Sequence, residues 1–167
     1  MDETLIHCKS PDEYFGTSSR SYDRTITIKL NGGGKAKGYI YFRPHVFKFL
    51  RTMSLHYEIV IWTASNQNYA LPVIALLDPE RKYIKAKYFR ENCLSSDFKY
   101  YIKDLRMLEE RDLSEIVIVD NTASCFYNNL DNAIPIIPFI DNVDDSELLD
   151  LQNFLVWLSD KSDVRTE

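Results

Sequence analysis

Two short strand-like runs, Tyr57–Trp62 and Ile116–Val119, constrain the fold of this chain most strongly. Both are rich in β-branched and apolar residues, and each ends abruptly at polar residues. Short apolar strands without regular polar alternation are typical of parallel sheets, because helices cover both faces of such sheets. Helical patterns lie between these runs along the chain. We therefore predict an α/β fold with a Rossmann-like parallel sheet and helices on both faces.

Turn signals organise the segment before the first of these runs. Residues 9–23 are polar and interrupted by Pro and Gly, which predicts a long loop. Two β-rich runs follow, Thr25–Leu30 and Tyr39–Phe42, and Asn31-Gly32 lies between them. Asn-Gly between such runs predicts a β-hairpin.

Three helices are predicted from apolar spacing and from terminal residues. The first opens at Arg43-Pro44, because proline fits the first helical turn. The second is capped by Ser65 or Asn66 and ends at Leu77, and the third begins at a capping box, Asp144 to Glu147. The first and third should bury apolar faces made of Val46, Phe47, Phe49, Leu50 and Met53, and of Leu148, Leu151, Leu155 and Leu158.

The second half of the chain contains less regular segments. Residues 79–102 are rich in aromatic side chains and predict a small insertion with one or two short strands. A short helical stretch is expected around Met107–Glu110, and the prolines near Ala133–Ile137 predict an edge strand. Residues 1–160 are expected to form a single domain, with residues 161–167 as a polar tail.

Composition limits the classes of function. The 167 residues carry a formal net charge of −5, which argues against direct nucleic-acid binding. Three widely spaced cysteines without a CxxC pair predict reduced thiols and a nuclear or cytoplasmic location. No apolar run approaches the roughly 20 residues that span a bilayer, so no membrane segment is expected. We expect a monomer.

Polar residues that follow the strands define a candidate site. Thr63 follows the first strand, and Asp120 and Asn121 follow the second. Ligands of parallel α/β sheets bind beyond the carboxyl ends of the strands, so these residues should meet, together with Asp2 and Lys103. Carboxylate and amide oxygens suit Mg²⁺, and a hydroxyl and a lysine suit phosphate. A second carboxylate can protonate a leaving alkoxide, so the set has the parts of a metal-assisted phosphoryl-transfer site except for a nucleophile.

The order of several short motifs resembles one family. These motifs are DETLIH, RPHV, WTAS, FREN, YIKDL, RDL, VIVDN and DNAIPI. The chain resembles the haloacid dehalogenase superfamily and, within it, the small phosphatases that act on the RNA polymerase II C-terminal domain (the NLI-interacting factor or FCP1-homology group). The resemblance implies a haloacid dehalogenase-like fold and Mg²⁺-dependent hydrolysis of phosphoserine or phosphothreonine in a phosphorylated protein, through an aspartyl-phosphate.

The resemblance also implies roles for individual residues. Asp2 and Thr4 match the second half of the family motif Asp-x-Asp-x-Thr, with Asp2 as the general acid and its main-chain carbonyl on the metal. Thr63 and Lys103 match the residues that bind and stabilise the phosphoryl group. Arg90 matches an arginine that binds substrate phosphate. Asp120 and Asn121 match the family's acidic motif at the metal, with Asn121 rather than Asp120 as the expected direct ligand.

One part of the family pattern is expected to fall outside residues 1–167. The family's nucleophilic aspartate would directly precede Met1, at the end of a central first strand of the sheet. Burial of five apolar side chains of such a strand would stabilise the fold by about 7–15 kcal/mol. This value is comparable to the stability of a whole domain. We therefore expect that the chain is truncated at its N-terminus and that residues 1–167 alone are inactive. The two strands that would flank the first strand should each have an unpaired edge.

Two other readings stay open. A non-catalytic module that binds phosphopeptides or a partner protein would keep Thr63, Arg90 and Lys103 without a nucleophile. A mitochondrial inner-membrane import receptor shares the fold but has degraded motifs, and the presence of Asp2, Thr4 and the WTAS motif weighs against it.

Overall fold

The computed structural model describes residues 1–17, 20–95 and 100–166. Its strands are β1 (Ile6–Lys9), β2 (Arg24–Lys29), β3 (Lys35–Phe42), β4 (Ile59–Trp62), β5 (Ile84–Tyr88), β6 (Leu94–Ser95), β7 (Tyr101–Ile102), β8 (Ile118–Asp120) and β9 (Ala133–Pro135). Its α-helices are α1 (Pro11–Thr17), α2 (Val46–Met53), α3 (Gln67–Leu77) and α4 (Glu147–Leu158). Short 3-10 helices cover Arg90–Asn92, Leu105–Met107, Leu113–Glu115, Ala123–Phe126 and Leu130–Asn132.

An antiparallel sheet in the order β1-β3-β2 follows the opening motif. The predicted hairpin is confirmed: β2 pairs with β3 from Arg24 opposite Ile40 to Lys29 opposite Lys35. Gly32 and Gly33 both adopt positive φ in its turn, a conformation that glycine adopts without steric cost. The long loop predicted at residues 9–23 is wrong in part, because Lys9 belongs to β1 and residues 11–17 form α1.

Two parallel strand pairs form the α/β part of the fold. β4 pairs with β5, and β8 pairs with β9. One face of these pairs packs against α2 and α4, which bury Leu50 and Leu148 in the main apolar core. A smaller cluster on Trp62 and Ile118 is covered by Leu105 and Phe126 of the 3-10 helices. The α/β class predicted from the apolar strands is therefore confirmed.

Several local predictions are corrected. β5 lies within the segment predicted as an insertion, yet it pairs with β4 in a parallel sheet, while β6 and β7 form a separate small hairpin. The prediction for residues 96–99 lies outside the described residues. Phe47, assigned to the buried face of the first helix, is 49% exposed. The capping box at Asp144 is also wrong, because Asp145 Oδ1 accepts the hydrogen bond from the Glu147 N–H at 3.2 Å.

A cavity of about 870 Å³ separates the two parallel pairs. β4 and the segment leading into β8 line it with apolar side chains, and α2 and α4 contribute others. In residues 1–17, 20–95 and 100–166, β4 pairs with no strand other than β5, and β8 with none other than β9. Within these residues, β4 and β8 therefore each have an edge without a neighbouring strand, as the sequence predicts.

Within the described ranges, no helix has the length and hydrophobicity needed to cross a bilayer. Cys8, Cys93 and Cys125 are free thiols. Burial is the main cause that raises the pKa of each thiol, and the pKa of Cys8 reaches about 11. All three groups therefore stay protonated near neutral pH, as expected for packed, reduced cysteines.

Candidate phosphoryl-transfer site

The opening turn holds Asp2 beside the carboxyl end of β4. The main-chain carbonyl of Met1 accepts a hydrogen bond from the Leu5 N–H at 2.9 Å, which closes the turn. Glu3 adopts a left-handed φ of 52° within it. Non-glycine residues adopt this conformation rarely, and they often do so where a site requires it. The turn therefore fixes the direction of the Asp2 side chain.

Hydroxyl groups surround the Asp2 carboxylate. Ser65 Oγ donates to Asp2 Oδ2 at 3.1 Å, and Thr63 Oγ1 lies 3.5 Å from the same oxygen. Tyr69 Oη donates to Asp2 Oδ1. Burial, followed by the charge of Asp2, raises the pKa of Tyr69, so this phenol remains a neutral donor. Ser65 and Tyr69 were not predicted as site residues, because Tyr69 reaches Asp2 only when α3 is docked beside the opening turn.

Thr63 is held rigidly at the end of β4. Its side chain is buried, its N–H donates to the Tyr88 carbonyl at 2.9 Å, and its Oγ1 accepts from the Ser65 N–H at 3.1 Å. The Asn66 side chain then caps α3 by accepting from the Tyr69 N–H at 3.1 Å, as predicted from sequence. The WTAS motif thus joins a strand end to a capped helix.

A buried ion pair lies at the end of β8. Lys103 Nζ donates to Asp120 Oδ2, and both residues are at most 4% exposed. The N–H of Lys103 donates to the Cys125 carbonyl at 2.7 Å, which ties the lysine to the 3-10 helix after β8. Asp120 Oδ1 accepts from the Thr122 N–H at 2.9 Å. The carboxylate therefore has charge compensation although it is shielded from water.

Thr4 links the two strand ends. Thr4 Oγ1 donates to Asn121 Oδ1 at 3.1 Å, so the opening turn contacts the residue that follows β8 as well as the residues that follow β4. Arg90 lies at the rim of this region, where its Nε donates to the Ala64 carbonyl at 2.7 Å and its guanidinium stacks over the Tyr101 ring at 5.0 Å. Direct contacts thus join Asp2 with Thr63 and Thr4 with Asn121, while Lys103 pairs with Asp120 and Arg90 contacts Ala64 and Tyr101 at the rim.

The site offers hard oxygen ligands for a cation. Asp120 and Asn121 present a carboxylate and an amide oxygen, and the resemblance to the family adds the main-chain carbonyl of Asp2. No group of three or more His, Cys, Asp or Glu side chains is arranged to hold a metal in the described part of the chain. Mg²⁺ is usually bound through only one or two carboxylates, with water and phosphate completing its shell. The donor set therefore fits Mg²⁺ and does not fit zinc.

Arg106 and Asn128 hold the side chain of Asp104, the residue that follows Lys103 in the sequence. Asp104 accepts from Arg106 Nε at 2.8 Å and from Asn128 Nδ2 at 2.9 Å, and it caps the 3-10 helix that follows. The side-chain hydrogen bond from Arg106 is the main cause that lowers the pKa of Asp104 to about 2, and the hydrogen bond from Asn128 adds to it. Burial has the opposite effect on this pKa but is outweighed.

This depressed pKa gives a pH-dependent prediction for Asp104→Asn. A carboxyl group with a lowered folded-state pKa stabilises the fold above its unfolded value, near 3.8, and this contribution is lost as the pH falls through about 2. We expect the difference in the free energy of unfolding between the native and Asp104→Asn proteins to be largest at neutral pH and to shrink between about pH 4 and pH 2. Thermal unfolding of both proteins across this range measures it, and a pH-independent difference would contradict the assignment.

Comparison with known proteins decides the family. Residues 1–165 match the model of the NLI interacting factor-like phosphatases. The chain belongs to this family. It is 37% identical over 164 residues to the human CTD small phosphatase-like protein, covering 98% of this chain and 56% of that protein. It is 38% identical over 167 residues to CTD nuclear envelope phosphatase 1B of Danio rerio, covering 99% of this chain and 67% of that protein.

A solved structure supports the fold. The structure of Fcp1, described as an essential RNA polymerase II CTD phosphatase, superposes with a TM-score of 0.69 at 25% identity. The alignment covers 95% of this chain and 47% of that one. The chain likewise spans about half the length of several relatives, such as 51% of CTD small phosphatase-like protein 3 of Caenorhabditis elegans, to which it is 37% identical over 156 residues and 93% of its own length. The haloacid dehalogenase-like fold and the phosphatase family predicted from the motifs are confirmed.

Proposed function

We propose that residues 1–167 belong to the catalytic domain of a Mg²⁺-dependent phosphatase that acts on phosphoserine or phosphothreonine in proteins. One observation carries the proposal: the opening turn contacts the carboxyl ends of β4 and β8 simultaneously, through Asp2 with Thr63 and through Thr4 with Asn121. Membership of the phosphatase family supports it.

Three side chains would bind the phosphoryl group. Thr63 offers a hydroxyl donor at the end of β4, and Lys103 offers a cation that is already fixed beside Asp120. Arg90, which is exposed at the rim, would reach the substrate from outside. Charge-assisted hydrogen bonds to phosphate are stronger than neutral ones, so these donors would orient the phosphoryl group for attack.

Asp2 would act first as a general acid and then as a general base. Its carboxyl group would give a proton to the serine or threonine oxygen as the phosphorus–oxygen bond of the ester breaks, and it would later take a proton from the attacking water. Ser65 and Tyr69 hold this side chain in place. Asp120, Asn121 and the main-chain carbonyl of Asp2 would hold Mg²⁺, which would offset the negative charge on the phosphoryl oxygens.

The nucleophile would come from sequence outside residues 1–167. An aspartate directly before Met1 would attack the phosphorus atom and form an acyl phosphate. Water would then attack the same phosphorus, so the acyl phosphorus–oxygen bond breaks and phosphate leaves with the aspartate regenerated. Because the resemblance places this aspartate at the end of a strand, residues 1–167 alone are expected to lack turnover.

The substrate and location are inferred from the family. Relatives are named for the RNA polymerase II C-terminal domain and for the nuclear envelope. We propose a nuclear phosphoprotein substrate of that type.

An extended protein tests the proposal. Val-Leu-Val-Leu-Asp is placed directly before Met1, and turnover of an aryl phosphate is measured with Mg²⁺ and with a chelator. We expect Mg²⁺-dependent turnover in the extended protein only. A matched control carries Asn in place of the added Asp and should be inactive. A folded extended protein without turnover in Mg²⁺ would contradict the proposal.

A second function stays in view because Thr63, Arg90 and Lys103 are present within residues 1–167. These residues could bind a phosphopeptide without hydrolysing it. Calorimetry of residues 1–167 with phosphorylated and unphosphorylated Ser-Pro peptides tests this, and equal binding of the two peptides would exclude it.

A further inference from the structure

A groove on the surface lies between α2, the carboxyl end of α3 and the open end of the β2–β3 hairpin. We call it the α2–α3 groove. Its volume is about 770 Å³. Its floor is apolar and consists of side chains from β3, from both helices and from the segment before β5: Phe42, Phe47, Leu76, Leu77 and Tyr83. Ligand pockets have volumes of roughly 300–1,000 Å³, so a short segment of polypeptide can occupy this groove.

Phe47 contributes an exposed aromatic ring to the floor. Its helical spacing predicts burial against the core, yet the side chain is 49% exposed. The ring instead contacts Phe42 edge to face, with the two ring centroids 4.9 Å apart. An exposed aromatic surface with charged residues at its rim is typical of protein interaction sites. The floor therefore offers a contact surface for one apolar side chain of a partner.

The carboxylates of the groove are already bound within the chain. Asp23 Oδ2 accepts from a main-chain N–H at 2.8 Å and from an arginine Nη2 at 2.7 Å. Asp78 is 4% exposed and accepts from the main-chain N–H groups of residues 82–84. Glu80 forms an ion pair with Lys82. These carboxylates therefore attract a cationic ligand only weakly.

Two cations of the groove have no such partner. Lys48 and Arg51 lie one turn apart on α2, and both side chains are exposed. Across residues 1–17, 20–95 and 100–166, neither side chain makes an ion pair or a hydrogen bond. Arg24 adds a third positive charge to the lining, with its Nη1 on the carbonyl of Asp23 at 2.7 Å.

This positive cluster is a local exception in an acidic chain. The formal net charge of the 167 residues is −5, whereas Lys48 and Arg51 leave the groove with uncompensated positive charge. Complementary charges guide a partner to its site and fix its orientation. The groove therefore fits a partner that carries acidic residues on both sides of an apolar one.

The groove opens at the amino end of β5. Tyr83 directly precedes this strand, whereas the carbonyl of its last residue, Tyr88, accepts the N–H of Thr63 in the candidate site. The five residues between these two ends span about 16 Å. A ligand beside Tyr83 therefore leaves the carboxyl end of β5 open to a substrate.

We propose that the α2–α3 groove is a docking surface for an acidic segment of a partner protein, in which one aromatic or leucine side chain lies between acidic residues. The apolar side chain packs on Phe42 and Phe47, and the flanking carboxylates bind Lys48, Arg51 and Arg24. A narrow peptide can reach the floor of the groove, whereas a flat anionic membrane would meet Glu80 at the rim. The inference does not depend on the proposed function, because no residue of the groove belongs to the candidate site.

Binding of fluorescent peptides to residues 1–167 tests the inference. The probes have the sequence Glu-Asp-Glu-Asp-X-Asp-Glu-Asp-Glu, with Phe, Trp or Leu as X and fluorescein at the N-terminus. We expect at least one of them to saturate the protein below about 1 mM in fluorescence anisotropy. Raising NaCl from about 0.05 M to about 0.5 M should weaken this binding, because salt screens exposed charges.

Two further peptides test the apolar and acidic parts of the segment separately. One has Ala as X, and the other keeps Phe but replaces every Glu and Asp with Gln and Asn. Each should bind at least about 10-fold more weakly than the parent peptide. Both comparisons use the native chain, so they do not depend on the folding of a variant. Equal binding of either peptide and the parent would overturn the proposal.

Matched charge variants locate the binding surface. Lys48→Glu combined with Arg51→Glu reverses the two unpaired charges and should weaken binding at least about 10-fold. Lys29→Glu combined with Lys35→Glu makes the same change in net charge on an exposed cross-strand pair outside the groove, and it should bind normally. Equal weakening in both double variants would show a general attraction of charge and would overturn the docking surface.

A second pair of variants tests the aromatic floor. Phe47→Ala should weaken binding at least about 10-fold, because it removes the exposed ring that contacts the apolar side chain. Its control, Leu55→Ala, changes a side chain that is 80% exposed and lies outside the groove, and it should bind normally. Unchanged binding by the Phe47→Ala protein would overturn the proposal.

Two other results would also overturn the docking surface. One is the absence of saturable binding by all three parent peptides. The other is binding to phosphatidylserine vesicles without binding to any peptide, which would assign the groove to a lipid surface. These experiments measure binding and not turnover, so a failure of the proposed phosphatase leaves their outcome unchanged.

Discussion

Asp2→Asn in the strand-extended protein should lower kcat for a phosphoserine peptide by about 10²–10⁴-fold, the usual contribution of a general acid–base group. Asn cannot give a proton to the serine alkoxide, which is a poor leaving group. KM should change little, because the proposed phosphate-binding residues Thr63, Lys103 and Arg90 are unchanged. Steady-state kinetics on the peptide measures both constants.

The effect on the first chemical step should depend on the leaving group. An aryl oxide leaves without protonation, so phosphoryl transfer from an aryl phosphate should be slowed much less than transfer from phosphoserine. Glu3→Gln is the matched control: it removes the neighbouring carboxylate, which contacts His7 at 3.2 Å, and it should keep nearly full activity. An equal loss in both variants would exclude Asp2 as the acid.

Arg43→Met should destabilise the fold by about 3–5 kcal/mol, the usual cost of breaking a buried ion pair. Arg43 is 1% exposed, and its guanidinium donates to both oxygens of Asp145 at 2.8 and 2.9 Å. It also donates to the carbonyl of Thr4 at 3.0 Å and to that of Ile137 at 2.8 Å. The substitution leaves a buried carboxylate and two carbonyls without their donor.

Urea unfolding of the native and Arg43→Met proteins measures this difference. Arg165→Ala serves as the control, because it removes the solvent-exposed ion pair of Arg165 with Asp163 and should leave the free energy of unfolding almost unchanged. Similar midpoints for the native and Arg43→Met proteins would show that the guanidinium is not needed for stability. Since Arg43 binds the Thr4 carbonyl, a loss of stability should be accompanied by disorder of the opening turn.

Local patterns predicted the fold well where one interaction dominates. The Asn31-Gly32 pair predicted the hairpin because glycine adopts the positive φ of its turn without steric cost, as Gly32 does, and Asn66 predicted the start of α3 because its side chain caps the helix. The spacing of the leucines in α4 was enough to predict that they are buried. These features depend on residues that are near one another in sequence.

The errors arose where distant residues decide the structure. β5 has alternating lysines and resembles part of an insertion, but its place in the sheet depends on pairing with β4. Asp144 does not form the predicted capping box: the N-cap residue of α4 is Ser146, and the Glu147 N–H donates to Asp145, whose carboxylate also binds Arg43, far away in sequence. Helix α1 was missed because proline and glycine near its ends resemble loop signals.

The candidate site could be predicted only in outline. Strand-end positions and residue chemistry indicated Thr63, Asp120 and Asn121, and family motifs indicated Asp2, Thr4, Arg90 and Lys103. Ser65 and Tyr69 were missed because nothing in their local sequence indicates contact with Asp2. The pairing of Lys103 with Asp120 likewise depends on how the segment before β8 packs against the 3-10 helix after it.

Trapping the acyl phosphate is the most direct test of the account. The strand-extended Asp2→Asn protein is mixed with an aryl phosphate and Mg²⁺, quenched in acid, and analysed by peptide mass spectrometry. Without the base that activates water, the phosphoryl group should accumulate on the added aspartate directly before Met1. Phosphate on a different residue, or turnover with no trapped acyl phosphate, would contradict the assignment of Asp2 and of the nucleophile position.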